Sequence, residues 1–266
     1  MNIPEKLISF SLFGTDPKYR QGMMLNIKTL KSIFNIGWHI VIYCDRINYA
    51  ALNQEKINDK VKVILQEEIS KGTEGMSWRL DATLLPGVKV VLFRDCDSVF
   101  TEREAEAVNE WLRSTHDTHI IRDHPWHQSP VMGGTLGVRG KSLDFLAKLV
   151  RERLQTHRRT EYGDDQIFLS HYFYPKARSN ALIHTNCVRY FPERTRPMPP
   201  DRLDEDFVGA YVFATPEERL KFEAIREVEA PRTLLPTHWE KNRWLRKIYQ
   251  QYAPIRRIRH GCQWCL

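Results

Sequence analysis

The fold is decided by the stretch Val90-Val91-Leu92-Phe93-Arg94-Asp95-Cys96-Asp97-Ser98, in which an apolar run ends in two carboxylates one residue apart. An apolar run of this length predicts a buried β-strand, and alternate side chains of a strand lie on the same face. We therefore expect Asp95 and Asp97 to project together from the carboxyl end of the strand. Paired carboxylates need a cation between them, and hard oxygen ligands favour Mg²⁺ or Mn²⁺. The alternative is an acidic surface turn, because Asp-x-Asp also occurs by chance in loops.

The segments before this strand alternate between strand and helix patterns. Strands are predicted at residues 7–14, 39–45 and 61–65, and a helix is predicted at residues 18–34. This alternation is typical of βαβ units that build a largely parallel sheet. Ligands of such sheets bind at the carboxyl ends of the strands, where Gly14, Asp45 and Asp95 fall. The predicted fold class is therefore α/β and Rossmann-like, with a mostly parallel central sheet flanked by helices.

The bulk properties of the chain are those of a globular protein. Its 266 residues can bury a sizeable core, and 42% of them are hydrophobic and 27% charged. No apolar run is long enough to span a bilayer, and the N-terminal residues lack the layout of a signal peptide. Five scattered cysteines are too few for a disulfide framework. We therefore expect a cytoplasmic location.

One domain is predicted for residues 1–235, because no linker, repeat or low-complexity tract interrupts them. Thr101 and Glu104 form a capping box that starts a helix. A strand is predicted at residues 118–122, and a helix at residues 142–154. Residues 236–266 form a separate C-terminal extension with a different composition.

The C-terminal extension is basic and aromatic. It carries seven basic side chains without an acidic one between residues 241 and 260, interleaved with Trp244, Tyr249 and Tyr252. We predict a helix at residues 237–252 that contacts an anionic membrane surface or a phosphate-rich ligand. The alternative is a tail helix that docks on the domain through its aromatic side chains. A single Cys262-x-x-Cys265 pair is poor evidence for zinc.

A second polar cluster comprises residues 122–127 with the pair Gly133-Gly134. An acid, two imidazoles and an indole close to two glycines are typical of a carbohydrate or phosphate pocket. The alternative is a zinc site, built from four histidines without nearby cysteine ligands. Those histidines are His116, His119, His124 and His127.

A third cluster, Asp164-Asp165, precedes an apolar segment and resembles a helix N-terminus, which favours carboxylates through the helix dipole. One carboxylate would cap the helix, while the other would face a substrate as a base or a hydroxyl acceptor. His184 ends a short apolar run. It is either a core residue or, near a carboxylate-bound metal, a candidate third ligand.

These motifs form an ordered series. In chain order the series runs through Phe13-Gly14, Tyr19, Trp78-Arg79, Phe93-Arg94-Asp95-Cys96-Asp97-Ser98, Arg122-Asp123-His124-Pro125, Gly133-Gly134, Tyr162-Gly163-Asp164-Asp165-Gln166 and Phe207-Val208-Gly209. The series resembles the GT-A glycosyltransferases with an Arg-Asp-x-Asp-Ser metal motif, found in bacterial surface-polysaccharide loci and large algal viruses. The resemblance covers residues 7–213 and leaves out the extension.

The resemblance implies a role for each motif. Asp95 and Asp97 would hold Mn²⁺ or Mg²⁺ with a nucleotide diphosphate, and His184 would be a third ligand. Where such relatives read His-Asp-Ser, this chain has His184-Thr185-Asn186, which departs from the pattern. The nucleotide would be bound by Phe13, Gly14, Tyr19, Arg79 and Asp95. The sugar or acceptor would be bound by Asp123, His124, Gly133, Gly134 and Gln166, with the catalytic candidates Asp164 and Asp165 near the reacting centre.

We expect the protein to be a metal-dependent glycosyltransferase that moves a sugar from a nucleotide donor to a surface polysaccharide or lipid-linked glycan. The expected donor is a UDP-sugar. We expect peripheral contact with the inner face of the membrane and no nucleic-acid partner. The enzymatic alternative is a phosphatase of the haloacid dehalogenase class, but that class places its Asp-x-Asp strand near the N-terminus. The non-enzymatic alternative is a nucleic-acid-binding protein, suggested by the net charge of +7.

Overall fold

A computed structural model describes most of the chain up to residue 212 and two short pieces beyond it. The described residues are 4–34, 37–55, 57–66, 72–124, 127–156, 163–186, 188–190, 193–199, 207–212, 217 and 254–257. The predicted helix at residues 237–252 and the Cys262/Cys265 pair lie outside these ranges. The boundary of the domain at residue 235 lies outside them too and stays a prediction.

An eight-stranded sheet forms the centre of the protein. Its strands are β1 (Lys6–Leu12), β2 (Trp38–Cys44), β3 (Val61–Leu65), β4 (Val90–Arg94), β5 (Thr118–Arg122), β6 (Thr135–Arg139), β7 (Ala181–Thr185) and β9 (Thr195–Arg196). Their order across the sheet is β3-β2-β1-β4-β6-β5-β7-β9. All neighbouring strands are parallel except at β6, which runs antiparallel to β4 and β5. The prediction of a mostly parallel α/β sheet is confirmed.

The helices flank this sheet. They are α1 (Pro17–Ile33), α2 (Arg46–Gln54), α3 (Glu102–Arg113), α4 (Gly140–Thr156) and α5 (Asp164–Phe168). Helix α5 continues as a π-helical turn at Leu169–Phe173 and an α-helical turn at Tyr174–Ala177. A long 3₁₀ helix, Gly72–Leu84, was not predicted.

Each face of the sheet carries its own apolar core, and the alternation along β1 shows how the two are separated. Ile8, Phe10 and Leu12 pack on the side of α1 and α3. Ser9 and Ser11 point to the other side and hold the 3₁₀ helix by its backbone. The Ser9 hydroxyl donates to the Arg79 carbonyl at 2.8 Å, and the Arg79 N–H donates to the Ser11 hydroxyl at 2.9 Å. These two serines therefore fix the position of Arg79 over the sheet.

The strand order places a crevice between β1 and β4. From β1 the chain proceeds outward through β2 and β3, then returns to form β4 on the other side of β1. The order 3-2-1-4 is that of doubly wound nucleotide-binding sheets, in which ligands bind at the carboxyl ends of the strands beside this point of reversal. Gly14 and Asp95 follow the two strands that border it.

A small second sheet involves the C-terminal extension. Strand β10 (Pro254–Arg257) pairs antiparallel with β8 (Val188–Tyr190). A short piece of the extension therefore contacts the domain through its backbone. No helix among the described residues is long and apolar enough to cross a membrane.

Candidate functional site

The two carboxylates of the Asp-x-Asp motif lie in a turn directly after β4. The strand ends at Arg94, and Ser98 N donates to the Asp95 carbonyl at 3.5 Å across the turn. Asp95 and Asp97 therefore follow the carboxyl end of the strand, as expected, but they lie in a turn, so the alternation of a strand does not set the directions of their side chains. Helix α1 supports this turn, because a Cβ on Gly22 would overlap the Cys96 carbonyl oxygen and Asn26 donates to the Ser98 carbonyl at 2.7 Å.

Asp97 is buried and Asp95 is half exposed, and the charge of Asp95 acts on Asp97. Burial, followed by the negative charge of Asp95, raises the pKa of the Asp97 carboxyl to about 7, and the charge of Lys18 opposes this rise. A carboxylate beside another carboxylate is expected to resist ionisation in this way. The pair therefore gains most from a cation placed between its members.

Arg79 links the motif to the third acidic cluster. Its Nη1 donates to Asp95 Oδ1 and, at 3.2 Å, to the Arg94 carbonyl, while its Nη2 donates to Asp165 Oδ2 at 2.7 Å. The side chains of Arg79 and Asp165 are 6% and 1% exposed, whereas that of Asp95 is 44% exposed. One guanidinium thus joins a buried carboxylate to an accessible one.

Both glycines of the Gly133-Gly134 pair are required by close approaches at this link. A Cβ on Gly134 would overlap the Asp95 carboxylate, and a Cβ on Gly133 would overlap both Asp165 Oδ2 and Arg79 Nη2. The loop before β6 therefore packs against all three charged groups with its backbone.

Asp164 and Asp165 open helix α5, but neither is its N-cap. That position belongs to Gly163 at φ +84°, and Asp165 Oδ1 accepts from the N–H of Gln166 at 2.8 Å. The expectation that Asp164 caps the helix was wrong, because a left-handed glycine ends the preceding loop. Asp165 reaches the centre of the site through Arg79.

The loop after β1 supplies the residues predicted to bind a nucleotide. Gly14 N donates to Asp45 Oδ2 at 2.8 Å, so Asp45 ties the loop to the end of β2 and also accepts from Asn48 N as the N-cap of α2. The Phe13 ring lies edge-on to Trp78, with centroids 5.8 Å apart. The structure thus places Phe13 and Gly14 at the crevice, and Tyr19 follows in the first turn of α1.

Two of the residues predicted to bind the sugar or acceptor, Asp123 and His124, are buried at the carboxyl end of β5. Asp123 Oδ2 accepts from Arg103 Nη1 at 2.8 Å and from Val208 N at 3.0 Å. The His124 ring stacks on Phe207 with centroids 4.1 Å apart. Asp123 and His124 thereby anchor residues 207–212, which pass over the Asp-x-Asp turn. On the neighbouring helix, Gln166 Oε1 accepts from the Ser129 hydroxyl at 3.2 Å.

His184 does not join the carboxylate pair. It lies on β7, three strand positions from β4, which corresponds to about 14 Å at the usual spacing between strands. One of its ring nitrogens lies 2.9 Å from His119 Nε2, and the other lies 3.0 Å from Glu110 Oε2. Burial is the first cause that lowers the pKa of both histidines. His119 and His184 therefore form a buried chain with Glu110, and this chain links β5, β7 and α3.

The zinc alternative finds no support in the described part of the chain. His119 belongs to the buried chain with His184, and His127 Nδ1 accepts from Asp123 N at 3.1 Å. Among the described residues, no three His, Cys, Asp or Glu side chains form a group that could hold a metal ion. A metal at Asp95 and Asp97 would therefore take its other ligands from substrate and water. That donor set fits Mg²⁺ or Mn²⁺, which commonly bind through one or two carboxylates together with phosphate oxygens.

Sequence reasoning missed three contributors to the site. The linking role of Arg79 depends on Ser9 and Ser11, which are distant in sequence. Lys18 is a single lysine in a helix, and no local pattern distinguishes it. Residues 207–212 lie over the turn, and the motif Phe207-Val208-Gly209 was the one sequence signal that pointed to this segment.

Comparison with known proteins gives a likeness of fold alone. No protein-family model matches the sequence, and a search of curated proteins finds no similar sequence. A 4-diphosphocytidyl-2C-methyl-D-erythritol synthase from Anaerococcus prevotii has a TM-score of 0.48 and 11% identity, over 84% of this chain and 97% of the other. A mannosyltransferase from Pyrobaculum calidifontis, solved in complex with GDP-Man and Mn²⁺, has a TM-score of 0.45 and 14% identity, over 85% of this chain and 62% of the other. Scores of this size carry no information about activity.

Proposed function

We propose that this protein is a metal-dependent glycosyltransferase of the GT-A type. It would move a sugar from a nucleotide donor, a UDP-sugar, to a surface polysaccharide or a lipid-linked glycan. The observation that carries the proposal is the crowded pair Asp95 and Asp97 at the crevice between β1 and β4, joined by Arg79 to Asp165. The ordered series of motifs in the sequence supports the same conclusion.

The carboxylate pair is the proposed metal site. Asp97 and Asp95 would hold Mn²⁺ or Mg²⁺, which when bound supplies positive charge against the leaving diphosphate. The raised pKa of Asp97 has a physical role in this proposal, since a carboxyl that resists ionisation alone is stabilised as the anion by a bound cation. Asp95, with its exposed side chain, faces the incoming ligand.

The nucleotide would lie over the loop after β1. Phe13, in the loop after β1, and Tyr19, in the first turn of α1, would offer aromatic surfaces to it. Gly14 is held beside them by Asp45. Arg79 would act on the nucleotide indirectly, because its two Nη atoms already donate to Asp95, Asp165 and the Arg94 carbonyl.

The sugar would lie beside the Gly133-Gly134 loop, where backbone replaces side chains next to the carboxylates. Asp123 and His124 would shape this side by anchoring residues 207–212, and Gln166 would border it from α5. Asp165 would act on the reacting centre through Arg79, to which it is hydrogen-bonded. Because its side chain is 1% exposed, the geometry supports a positioning role.

The alternative functions have weaker support. A phosphatase of the haloacid dehalogenase class would have its Asp-x-Asp strand near the N-terminus, whereas three strands precede β4 here. A nucleic-acid-binding function would depend on the basic residues of the extension, of which the structure describes only residues 254–257.

The extension would hold the enzyme at the inner face of the membrane, where a lipid-linked acceptor lies. Clustered basic residues contribute on the order of 1 kcal/mol each near an anionic bilayer, and interfacial Trp and Tyr add to this. Deletion of residues 236–266 is expected to weaken binding to anionic liposomes, most clearly at low salt. The pairing of β10 with β8 supports the alternative, in which the extension stabilises the domain. The deletion would then lower the stability of the domain and leave liposome binding unchanged.

Thermal stabilisation by a panel of nucleotide sugars tests the proposed function. A ligand that binds the native state raises the melting temperature by mass action. We expect one nucleotide sugar to do so with Mn²⁺ and to lose the effect with EDTA. The proposal fails if no nucleotide, nucleotide sugar or nucleoside diphosphate shifts the melting temperature with Mn²⁺ present.

A further inference from the structure

Lys18, in the first turn of helix α1, is held between two aromatic rings. Its Nζ lies 4.9 Å from the centroid of the Tyr19 ring and 5.7 Å from that of Tyr211. Its side chain is 31% exposed, and its ion pair is a 3.7 Å contact with Asp16, which is 49% exposed. An exposed pair of this length is worth little. The two rings therefore contact a lysine whose side chain is in part accessible to solvent.

Tyr211 brings this lysine to the carboxylate pair. Its segment runs antiparallel to the Asp-x-Asp turn, with a backbone bridge between Tyr211 and Ser98 and a hydrogen bond of 2.5 Å from Val212 N to the Asp97 carbonyl. The segment is anchored further back by Val208, whose N–H donates to Asp123 Oδ2 at 3.0 Å. Two regions far apart in sequence thus converge on Lys18.

The charges around Lys18 indicate what it would bind. Its ammonium lies over the ring of Tyr211, and Tyr211 is bridged to Ser98, the residue after Asp97. The N–H groups of the first turn of α1 are already used, because those of Lys18 and Tyr19 donate to the N-cap Asp16, so the ammonium is the group that would bind an anion. A metal held by Asp95 and Asp97 would add a second positive charge to that of the Lys18 ammonium. A diphosphate carries anionic oxygens on both phosphates and so would contact both charges.

We propose that the ammonium of Lys18, oriented by Tyr19 and Tyr211, binds the diphosphate of the nucleotide donor on the side opposite the Asp95–Asp97 pair. The inference rests on the proposed function and adds a residue that no motif in the sequence indicated. Lysine suits this role as a compact point charge for phosphate. The two rings reduce the freedom that a lysine side chain would otherwise lose on binding.

The test compares Lys18→Met, Lys18→Arg and the control Lys28→Met, which removes an exposed lysine from the same helix. Calorimetric titration with uridine diphosphate and guanosine diphosphate, each with Mn²⁺, gives the affinity for the diphosphate. Saturation-transfer NMR with the nucleosides gives binding without phosphate. We expect Lys18→Met to weaken diphosphate binding roughly ten- to a hundredfold, the scale of a charged hydrogen bond. Nucleoside binding and the melting temperature should be unchanged.

The outcomes separate this inference from the proposed function. Retention of affinity by Lys18→Arg and Lys28→Met, with loss in Lys18→Met, supports the role of the charge. If the wild type binds a diphosphate and Lys18→Met binds it equally well, the role of Lys18 is refuted and the proposed function stands. An equal loss of nucleoside binding in Lys18→Met would also refute it, because the lysine would then act on the base. Failure of the wild type to bind either diphosphate refutes the proposed function itself.

Discussion

Asp95 and Asp165 accept hydrogen bonds from the same guanidinium, that of Arg79. The consequence is that the two carboxylates share one buried cation. A metal ion that binds Asp95 competes with Arg79 for that carboxylate, and Asp165 offers Arg79 a second partner when this happens. Asp165 would therefore favour metal binding without being a ligand.

The first prediction concerns Asp165→Asn. The neutral amide leaves Arg79 with Asp95 as its remaining charged partner, so the arginine holds Asp95 more strongly against the metal. We expect Mn²⁺ affinity in the presence of a nucleoside diphosphate to fall roughly tenfold, the scale of one charged hydrogen bond. Asp164→Asn, one position away, is the control and should leave this affinity unchanged. Calorimetric titration measures both.

A different result would assign Asp165 a direct role. If turnover falls by about 10²–10⁴-fold while Mn²⁺ affinity is retained, Asp165 acts as an acid or base on the substrate. The positioning role would then be wrong.

The second prediction concerns Gly134→Ala. A methyl group at this position overlaps the Asp95 carboxylate, which must move. We expect Mn²⁺-dependent nucleotide binding to fall at least tenfold, because the displaced carboxylate no longer lies beside Asp97. Gly37→Ala is the contrasting variant. Gly37 has φ +102° and open space around it, so its substitution should cost about 1 kcal/mol of stability and no metal affinity. Equal metal affinity in the wild type and Gly134→Ala would show that Asp95 is not a ligand.

The third prediction concerns the stability of the metal-free protein. Burial and the charge of Asp95 raise the pKa of Asp97 to about 7, well above the value of about 3.9 for an unfolded chain. Ionisation of Asp97 therefore costs the folded state free energy. This cost is absent below about pH 4, grows as the pH rises towards 7, and is complete above it. Asp97→Asn lacks the charge and so lacks the cost.

In EDTA at pH 8, Asp97→Asn should be more stable than the wild type by on the order of 1–3 kcal/mol, and the difference should vanish near pH 4. Urea denaturation at both pH values measures this. The exposed Asp59→Asn is the control and should change stability little at either pH. A wild type that is more stable than Asp97→Asn at pH 8 would favour the alternative of a structural acidic turn.

The fourth prediction separates the buried histidine chain from the metal site. His184→Ala removes a partner from both His119 and Glu110. We expect the free energy of unfolding to fall by about 2–4 kcal/mol, because buried polar groups are left unpaired and a cavity forms. Mn²⁺ affinity should stay within about twofold of the wild type. His116→Ala, at a half-buried position bonded to Ser114, is the milder comparison. Loss of metal affinity in His184→Ala alone would restore the histidine as a ligand.

Local patterns in the sequence predicted most strands and helices correctly. The strand at residues 61–65 and the strand at residues 118–122 have the observed bounds, and α1 differs from its prediction by one residue at each end. The apolar periodicity of these segments is a local property that tertiary contacts reinforce. The 3₁₀ helix Gly72–Leu84 was missed because its apolar residues alternate with polar ones from Met76 to Leu84, which is the spacing of a strand. Contacts with Ser9 and Ser11 of β1, distant in sequence, hold it in place.

The site was predicted in part. The acidic residues at strand ends marked the crevice, because the carboxyl ends of parallel strands meet at one edge. The pairing of Arg79 with Asp165 and the place of Lys18 beside Tyr211 could not be predicted, since both depend on contacts between distant segments. His184 ends an apolar run as a ligand would, but the sheet order places it three strands from the carboxylates.

The most direct test of the central claim is a calorimetric titration of uridine diphosphate and guanosine diphosphate into the wild type and Asp97→Asn, each with Mn²⁺ and with EDTA. The proposed metal site predicts that the wild type binds one diphosphate with Mn²⁺ and loses this binding in EDTA. It also predicts that Asp97→Asn binds at least tenfold more weakly with Mn²⁺, although its melting temperature in EDTA is no lower than that of the wild type. Equal binding by both proteins, or binding by the wild type that EDTA leaves intact, would contradict the claim that Asp95 and Asp97 hold a metal for the nucleotide.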